Sequence, residues 1–515
     1  MNNKNAGEQA SNGDQKKSYR ETFETYSRNL EQESQNRNAS KSDLKTRIEH
    51  GEFFKLILDE ITPINEHELA NKYNMESLQR KHRIQIVVKE VLRLANRRNL
   101  SVSVNNGAVF VYNGAYWKEV SREELKAFLG KAAIKMGIPE LEAGYHLFRA
   151  DLEKQFMSEG YLAKPNRTND EVLINLSNGT LVITPHSQKL KDFDKNDFLT
   201  YQLKFSLDGD ATFPIFDRYL DRVLPDKGLQ MILAEFMGYV FVNHSHLKLE
   251  KALVLFGYGA NGKSVFFEIM DALLGPEHIS NFSLLALTNE NGYYRAKIGN
   301  KLLNYASEIS TRMDSTIFKQ LVSGEPVDAR LPNQNPFIIR DYAKLIFNTN
   351  ELPKNVEQNE AFFRRFIIVP FDITIPENER DPELAKKIIE SEMPGILNWV
   401  LAGLKRLLEK KKFSHSDLVQ KAVNNYRQQS DSVQLFIGDS GYVHDPKNEV
   451  PLKTLYQEYK VYCEENGYMR CSQRVFSERL TRNNFVSKRK NFGHVVYVSK
   501  KRFDEPTQLT LPAPM

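Results

Sequence analysis

A glycine-rich stretch in the middle of the chain constrains its fold more than any other feature. Residues 257–264 read GYGANGKS, which satisfies the phosphate-loop pattern G-x-x-x-x-G-K-[ST] at every fixed position. An apolar run over 252–256 precedes the stretch, and apolar residues recur with helical spacing over 265–274. The sequence therefore predicts a strand, a tight loop and a helix in that order, which is the context that the motif requires. A chance glycine-rich turn is the alternative interpretation.

The same stretch predicts a binding site for a nucleoside triphosphate. Glycines let backbone N–H groups curl around phosphate oxygens, and the amino end of the following helix adds its positive dipole end. In such a loop Lys263 would reach the β- and γ-phosphates, and the Ser264 hydroxyl would bind Mg²⁺. The residues of the predicted nucleotide site are Gly257, Gly259, Ala260, Asn261, Gly262, Lys263 and Ser264.

Composition limits the class of protein. A chain of 515 residues with 41% hydrophobic and 27% charged residues is long enough for about three globular domains. No apolar run is long enough for a membrane span, and the amino terminus has no signal-peptide core, so we expect no membrane partner and a cytoplasmic location. Two cysteines exclude a disulfide framework, and a net charge of +5 permits a nucleic-acid partner without requiring one.

Changes in composition and apolar spacing divide the chain into six predicted segments. They are a disordered tail (1–45), an α+β domain (46–205), an α/β nucleotide-binding core (206–400), a helical linker (401–430), a basic C-terminal domain (431–503) and a polar tail (504–515). The Asn106-Gly107 pair predicts a hairpin that joins strands near 101–104 and 109–112. One long helical stretch is predicted over 213–243.

Two further segments of the core carry candidate groups for phosphoryl transfer. A strand over 302–308 ends in Glu308, whose carboxylate would hold Mg²⁺ or polarise the attacking water; an ordinary charged strand end is the alternative. No second acid adjoins Glu308. A strand over 344–350 ends in amides, of which Asn350 or Asn348 would orient water beside the γ-phosphate, unless these residues only form a turn.

Arg364 and Arg365 stand between apolar neighbours shortly afterwards. A guanidinium group keeps its charge and forks across phosphate oxygens, and an arginine finger supplied by a neighbouring subunit can raise the rate by about 10³–10⁵. A buried structural salt bridge is the competing interpretation of the pair.

With these motifs in order, the chain resembles a superfamily 3 helicase of the phage and plasmid primase–helicase type, related to poxvirus primase–helicases. The residues that carry the resemblance are the phosphate loop and the segments 307–309, 318–324, 349–353 and 364–366, with 111–117 and 178–181 upstream. The resemblance implies a homo-oligomeric, hexameric ring of AAA+-like cores that encloses single-stranded DNA and moves along it with ATP. It also implies that Glu308 is the Walker B acid, Asn350 the sensor and Arg365, or Arg364, the finger.

In rings of this family a hairpin projects into the DNA channel, and here it should span 327–339. Relatives usually carry a lysine near its tip, where this chain has Gln334. Arg330, Lys319 and, as a third choice, Arg340 are the remaining cationic candidates for contact with a DNA backbone, and a solvated turn is the alternative.

The C-terminal region carries a second signal for nucleic acid. Residues 473–503 hold nine Lys or Arg against one acid, and they resemble the recognition helix (475–480) and the wing (488–494) of a winged-helix domain whose first helix covers 455–463. The predicted contacts are Arg479, Lys488, Arg489 and Lys490. Duplex DNA is the expected partner; a protein partner or an incidental charged face are the alternatives.

The sequence thus predicts an AAA+-like P-loop ATPase core with an α+β N-terminal domain and a C-terminal winged-helix domain, acting as a DNA helicase in the replication of a mobile element. The alternatives are an origin-binding initiator or loader whose ATPase is a switch, and a primase–helicase with a hidden N-terminal catalytic site. No carboxylate constellation for primer synthesis is evident in the N-terminal third. A primase is therefore expected to be missing or encoded on a separate chain.

Overall fold

A computed structural model describes residues 47–105, 108–161, 171–307, 309, 313–332, 335–354, 356–491 and 493–500. The predicted tails 1–45 and 504–515 lie outside these residues, as do Glu308 and Gln334. The chain divides into two units, of which the first comprises residues up to 182 together with 188–206, and the second 183–187 and the chain from 207 onwards. Within the described ranges, no helix is both long and apolar enough to cross a membrane.

The first unit combines helices with two three-stranded sheets. Its helices are α1 (Phe53–Glu60), α2 (Glu66–Lys72), α3 (Arg80–Arg97), α4 (Arg122–Lys135), α5 (Glu140–Gly144) and α6 (His146–Glu159). Its strands are β1 (Ser101–Asn105), β2 (Ala108–Tyr112), β3 (Trp117–Val120), β4 (Val172–Leu176), β5 (Gly179–Ile183) and β6 (Gln188–Lys191). The predicted hairpin is confirmed, because Asn105 pairs with Ala108 in an antiparallel β1–β2 ladder.

The second unit contains the remaining elements. Its helices are α7 (Pro214–Val223), α8 (Lys227–Tyr239), α9 (Lys263–Leu274), α10 (Leu284–Leu287), α11 (Ser315–Ser323), α12 (Glu360–Phe363), α13 (Leu384–Lys410), α14 (Asp417–Gln429), α15 (Ser432–Asp439), α16 (Leu452–Asn466) and α17 (Gln473–Arg482). Its strands are β7 (Ala252–Phe256), β8 (Ile279–Ser280), β9 (Leu303–Ala306), β10 (Val327–Ala329), β11 (Phe337–Ile339), β12 (Lys344–Thr349), β13 (Phe366–Pro370), β14 (Tyr442–Pro451), β15 (Ser487–Lys490) and β16 (Gly493–Lys500).

A five-stranded parallel sheet lies at the centre of the second unit, with strand order β13-β7-β12-β9-β8. The mixed α/β class predicted from the sequence is confirmed. The first four residues of β7 are buried and Phe256 is partly buried, as is usual for a parallel strand whose sheet is covered on both faces. Since the strands run in one direction, the loops after β7, β9, β12 and β13 all leave the same edge of the sheet.

The long helix predicted over 213–243 is wrong, because the structure has two helices there, α7 and α8. Pro225 lies in the break and disfavours a helical conformation at Leu224, whose φ is −140°. The Asp226 side chain then accepts the backbone N–H of Leu229 at 2.8 Å and starts α8 as an N-cap.

The C-terminal part of the second unit runs in the order α15, β14, α16, α17, β15, β16, and its three strands form an antiparallel sheet. One apolar cluster joins the three helices to the sheet and includes Phe436, Tyr459, Phe476 and Val496. The helix predicted to be the first of this region is α16, and the structure places α15 before it.

Candidate functional site

The glycine-rich loop between β7 and α9 is fixed at its start by contacts that only glycine allows. The backbone N–H of Gly257 donates to the Thr349 carbonyl oxygen at 3.1 Å, which ties the loop to the end of β12. A Cβ at Gly257 would lie 2.4 Å from the Phe371 carbonyl oxygen. The Asn261 amide donates to that same oxygen at 3.0 Å, so the start and the middle of the loop lie against the residue that follows β13.

The end of the loop is equally constrained. Gly262 is the N-cap of α9 and has a φ of +87°, a left-handed conformation that favours glycine. A Cβ there would lie 2.7 Å from Cγ1 of Val223, while the Tyr219 hydroxyl donates to the Gly262 carbonyl oxygen at 2.9 Å. Burial raises the pKa of the Tyr219 hydroxyl, which keeps it protonated as a donor. Helix α7 therefore packs against the end of the loop at Gly262 and stabilises it.

Lys263 and Ser264 open helix α9. The Lys263 ammonium donates to the Gly257 carbonyl oxygen at 2.6 Å and to Oδ1 of Asn261 at 2.9 Å, and burial lowers its pKa. Ser264 is exposed in the first turn of the helix. Because α9 is 12 residues long, its free N–H groups and dipole favour an anion at this end. A lysine, a hydroxyl and a helix terminus thus meet at one loop. The ammonium and the backbone N–H groups are hydrogen-bond donors suited to phosphate oxygens, and the hydroxyl oxygen is a ligand suited to Mg²⁺.

The two candidate sensor amides occupy different environments. Asn348 is buried, and its Oδ1 accepts the Tyr305 hydroxyl of β9 at 3.1 Å. Asn350 follows the last residue of β12 and is exposed at the edge of the sheet from which the glycine-rich loop leaves. Asn350 is thus the amide with a side chain accessible to a ligand. Glu308 follows β9 by two residues and lies outside the described part of the chain.

Arg364 and Arg365 are adjacent in sequence but differ in burial. The Arg364 side chain is 55% exposed, and its Nη2 lies 2.8 Å from Oε2 of Glu250. The Arg365 side chain is 10% exposed; its Nη2 donates to the Ser323 hydroxyl at 3.0 Å, and its Nη1 donates to the Ala361 carbonyl oxygen. The guanidinium of Arg365 is therefore engaged in the interior of its own chain, and Arg364 is the more exposed of the two arginines, paired with Glu250 at the surface.

Three sequence families match the chain. A family described as "D5 N terminal like" matches residues 89–225, and one described as "Poxvirus D5 protein-like" matches residues 428–506. A "family of unknown function (DUF5906)" matches residues 255–365, which contain the glycine-rich loop and both arginines. The chain is similar to poxvirus D5 proteins. The resemblance inferred from its motifs is thereby confirmed.

Individual relatives are distant. "Putative helicase L207/L206" of Acanthamoeba polyphaga mimivirus is 22% identical over 291 residues, a match that covers 51% of this chain and 30% of that protein. Among solved structures, two apo structures of the NrS-1 C-terminal region are 11% and 13% identical. They cover 79% and 81% of this chain and 98% and 99% of their own, with TM-scores of 0.44 and 0.43.

The hairpin predicted over 327–339 is present. Strands β10 and β11 pair antiparallel over three positions, from Val327 opposite Ile339 to Ala329 opposite Phe337. Arg330 is exposed directly after β10. Lys319 on α11 instead pairs with both carboxylate oxygens of Glu357, at 3.0 and 2.9 Å.

The predicted DNA-contact residues of the C-terminal region also divide by exposure. Lys488 and Arg489 are exposed on β15, whereas the Lys490 ammonium pairs with Glu449. The Arg479 side chain on α17 is 15% exposed, and its Nη1 lies 3.3 Å from Oδ1 of Asp431. Arg479 is thus occupied by the N-cap residue of α15 and is not presented outward.

The face of α17 that carries Arg479 borders the segment 357–359 of the core. A groove of about 260 Å³ separates the two, and its lining residues are Glu357, Gln358, Asn359, Val475, Glu478, Arg479 and Arg482. Arg482 donates to the Gln358 carbonyl oxygen at 3.5 Å across one end. This face of α17 therefore lines an intramolecular groove.

Three residues that support these sites were not singled out from the sequence: Tyr219, Glu250 and Asp431. Tyr219 contacts Gly262, 43 positions away in the sequence, and Glu250 contacts Arg364, 114 positions away. No local sequence pattern marks such distant contacts. Asp431 precedes an apolar helical run and accepts two of its backbone N–H groups, so its capping role had a local signal. Among the described residues, no cluster of three or more His, Cys, Asp or Glu side chains has the arrangement of a metal site.

Proposed function

We propose that residues 206–400 form an AAA+-like P-loop ATPase core that binds ATP and Mg²⁺ at the loop 257–264. One observation carries the proposal: the loop is held by glycine-specific contacts at the carboxyl edge of a parallel sheet, with Lys263 and Ser264 opening the next helix. Lys263 would bind the phosphate oxygens, and Ser264 with Glu308 would hold the metal. Bound Mg²⁺ would neutralise the charge that develops on the transferred phosphoryl group.

Hydrolysis would use groups from two neighbouring subunits. In one subunit Glu308 would polarise water and Asn350 would orient it, since Asn350 is exposed on the same edge of the sheet as the loop. The neighbour would supply Arg364, because that guanidinium is exposed while Arg365 is buried. Positive charge from an arginine stabilises the transition state and is worth about 10³–10⁵ in rate in related chemistry.

We infer from these parts a ring-forming helicase of superfamily 3, a hexamer that moves along single-stranded DNA during replication of a phage, plasmid or other mobile element. The similarity to poxvirus D5 proteins and to a protein named as a helicase supports this inference. The hairpin β10–β11 would contact the threaded strand. The helix and strand order of the C-terminal region, with exposed Lys488 and Arg489 on β15, supports a winged-helix domain that binds duplex DNA through its wing.

Strand displacement on a forked DNA with one labelled strand tests the helicase proposal. A helicase releases the labelled strand with ATP and Mg²⁺ and releases none with a non-hydrolysable analogue. An origin-binding initiator or loader would bind the fork and hydrolyse ATP without releasing the strand. That result would overturn the helicase proposal and favour the initiator or loader whose ATPase is a switch.

Lys263→Ala should remove nucleotide binding, because no other ammonium group opens α9 at the loop. We expect a loss of about 100-fold or more in ATP affinity, measured with a fluorescent ATP analogue. The matched control is Lys386→Ala, which removes an exposed lysine from α13 and should bind ATP like the native chain. Equal affinity of the two variants would contradict the assignment of the loop.

A further inference from the structure

Arg295 is buried, although it carries a permanent charge. It lies between α10 and β9, and its side chain is 1% exposed. Its Nε donates to the Asp328 carbonyl oxygen at 2.7 Å, and its Nη2 donates to the Asp328 carboxylate at 2.7 Å. One guanidinium therefore donates hydrogen bonds to both the backbone and the side chain of Asp328, the middle residue of β10.

The other side of the same guanidinium holds a different element. Its Nη1 donates to the Leu287 carbonyl oxygen at 3.2 Å and to the Asn289 carbonyl oxygen. Both carbonyls lie at or just beyond the carboxyl end of α10, where backbone oxygens lack partners within the helix. Arg295 thus connects the end of α10 to the hairpin β10–β11.

The backbone between these two anchors packs directly on the hairpin. Gly292 has a φ of +71°, and a Cβ there would lie 3.1 Å from Nη2 of Arg295 and 3.3 Å from Cα of Ala329. The Gly292 carbonyl oxygen also accepts the backbone N–H of Arg330 at 3.4 Å. Glycine lets this loop approach the strand closely enough for the guanidinium to reach Asp328.

The hairpin needs such support. It has three residue pairs, and a two-stranded ribbon of this size is marginally stable in water. One face is open to solvent, since Asp328 is 61% and Ile338 is 56% exposed. The other face, with Val327, Ala329 and Ile339, packs in the apolar cluster of the core, and Arg295 adds a polar contact at the middle of β10.

We propose that Arg295 is a positioning residue that fixes the hairpin β10–β11 and so sets where the hairpin meets a single-stranded polynucleotide. The proposal rests on the function proposed above. The fork of a guanidinium spans the acceptors on both sides at once, whereas a lysine ammonium is a point charge that cannot. Arg295 and Asp328 act as one unit, and neither touches the nucleotide site.

The test compares Arg295→Lys, Asp328→Ala and Asp328→Asn with the native chain. Glu290→Gln is the matched control, since it removes one negative charge from the same loop at an exposed position. Two quantities are measured for each protein: the ratio of ATPase rates with and without oligo(dT), and amide hydrogen exchange of residues 327–332 and 335–339 against that of β7.

Arg295→Lys and Asp328→Ala should lower the stimulation by oligo(dT) about tenfold while kcat and KM of the basal ATPase stay native. Exchange in the hairpin should become about tenfold faster, with β7 unchanged. Asp328→Asn should retain part of the stimulation, because its amide oxygen still accepts from Nη2. Glu290→Gln should match the native chain in both measurements.

Native stimulation together with native hairpin exchange in Asp328→Ala would overturn the proposal. A general rise in exchange that includes β7 would also overturn it, because the pair would then support the whole core. If Arg295→Lys does not fold, Asp328→Ala decides, since that side chain is largely exposed. If the native chain lacks ATPase activity, the proposed function fails, and hydrogen exchange alone still decides whether Arg295 fixes the hairpin.

Discussion

At the scale of single residues, Arg364 and Arg365 present the same charge in opposite environments. The exposed Arg364 guanidinium contacts Glu250 at the surface, where solvent screens the pair. Arg365 reaches the same carboxylate at 3.5 Å from the interior and also binds Ser323. Removal of a buried charge leaves its partners uncompensated, so the two positions should respond differently to substitution.

Arg365→Ala should lower the free energy of unfolding by about 3 kcal/mol, because it empties a buried, hydrogen-bonded site. Arg364→Ala should change it by less than about 1 kcal/mol, because an exposed ion pair contributes little. Urea unfolding followed by circular dichroism measures both. Equal losses in the two variants would show that Arg365 is not buried as described.

The predictability of these residues depended on whether their contacts are local. Lys263 and Ser264 could be predicted because the motif, its strand and its helix are contiguous in sequence. Glu250 and Tyr219 could not, since their contacts depend on how distant segments pack. The sequence left Arg364 and Arg365 open as finger or salt bridge, and only burial distinguishes them.

At the scale of elements, two cationic side chains of helix α17 have partners within the chain. The sequence predicts a recognition helix, yet Arg479 pairs with Asp431 and Arg482 reaches the core segment at Gln358. Charge counting along a helix cannot show which face an intramolecular contact covers. The exposed cations of this region that remain from the prediction are Lys488 and Arg489 on β15.

Lys488→Ala combined with Arg489→Ala should weaken binding to duplex DNA and reduce the salt dependence of that binding. Each lost phosphate contact lowers the slope of log K against log salt concentration by about 0.9, so we expect a decrease of about 2. Fluorescence anisotropy at several salt concentrations measures the slope. The control, Lys410→Ala with Lys412→Ala, removes equal charge at exposed positions and should keep the native slope. An unchanged slope in the β15 variant would exclude the wing as a DNA contact.

His244, in the segment after α8, makes the stability of the folded core depend on pH. Burial, with the nearby Lys344 charge, lowers the pKa of His244 to about 2. The unfolded chain has an ordinary histidine that takes up a proton as pH falls through about 6.5. Stability is therefore full above that pH and decreases below it, by about 2 kcal/mol at pH 5 from this group alone.

Replacement of His244 by Phe should remove this part of the acid sensitivity, because the aromatic ring can still pack against Tyr342. Urea unfolding at pH 7 and pH 5 measures the effect. The native chain should lose more stability than the variant between the two values. Parallel losses would show that His244 is not held neutral in the folded state.

At the scale of the whole molecule, the α/β class followed from the alternation of strand and helix patterns, but the strand order did not. The order β13-β7-β12-β9-β8 brings together segments from 252 to 370 through long-range packing. That order places the loop 257–264 beside Asn350, while Arg364 leads into β13, one of the two edge strands. A single chain thus carries both halves of the proposed composite site, which under that proposal is completed only between neighbouring subunits.

Mixing two inactive variants tests this claim most directly. Lys263→Ala lacks the loop lysine but keeps Arg364, and Arg364→Ala has the reverse defect. Each protein alone should hydrolyse ATP at background rate with oligo(dT) present. After subunit exchange, verified by energy transfer between labelled protomers, the mixture should recover part of the native rate, because some interfaces join an intact loop to an intact Arg364. A mixture that exchanges subunits and stays at background, or an Arg364→Ala protein with the native rate, would contradict a site shared between subunits.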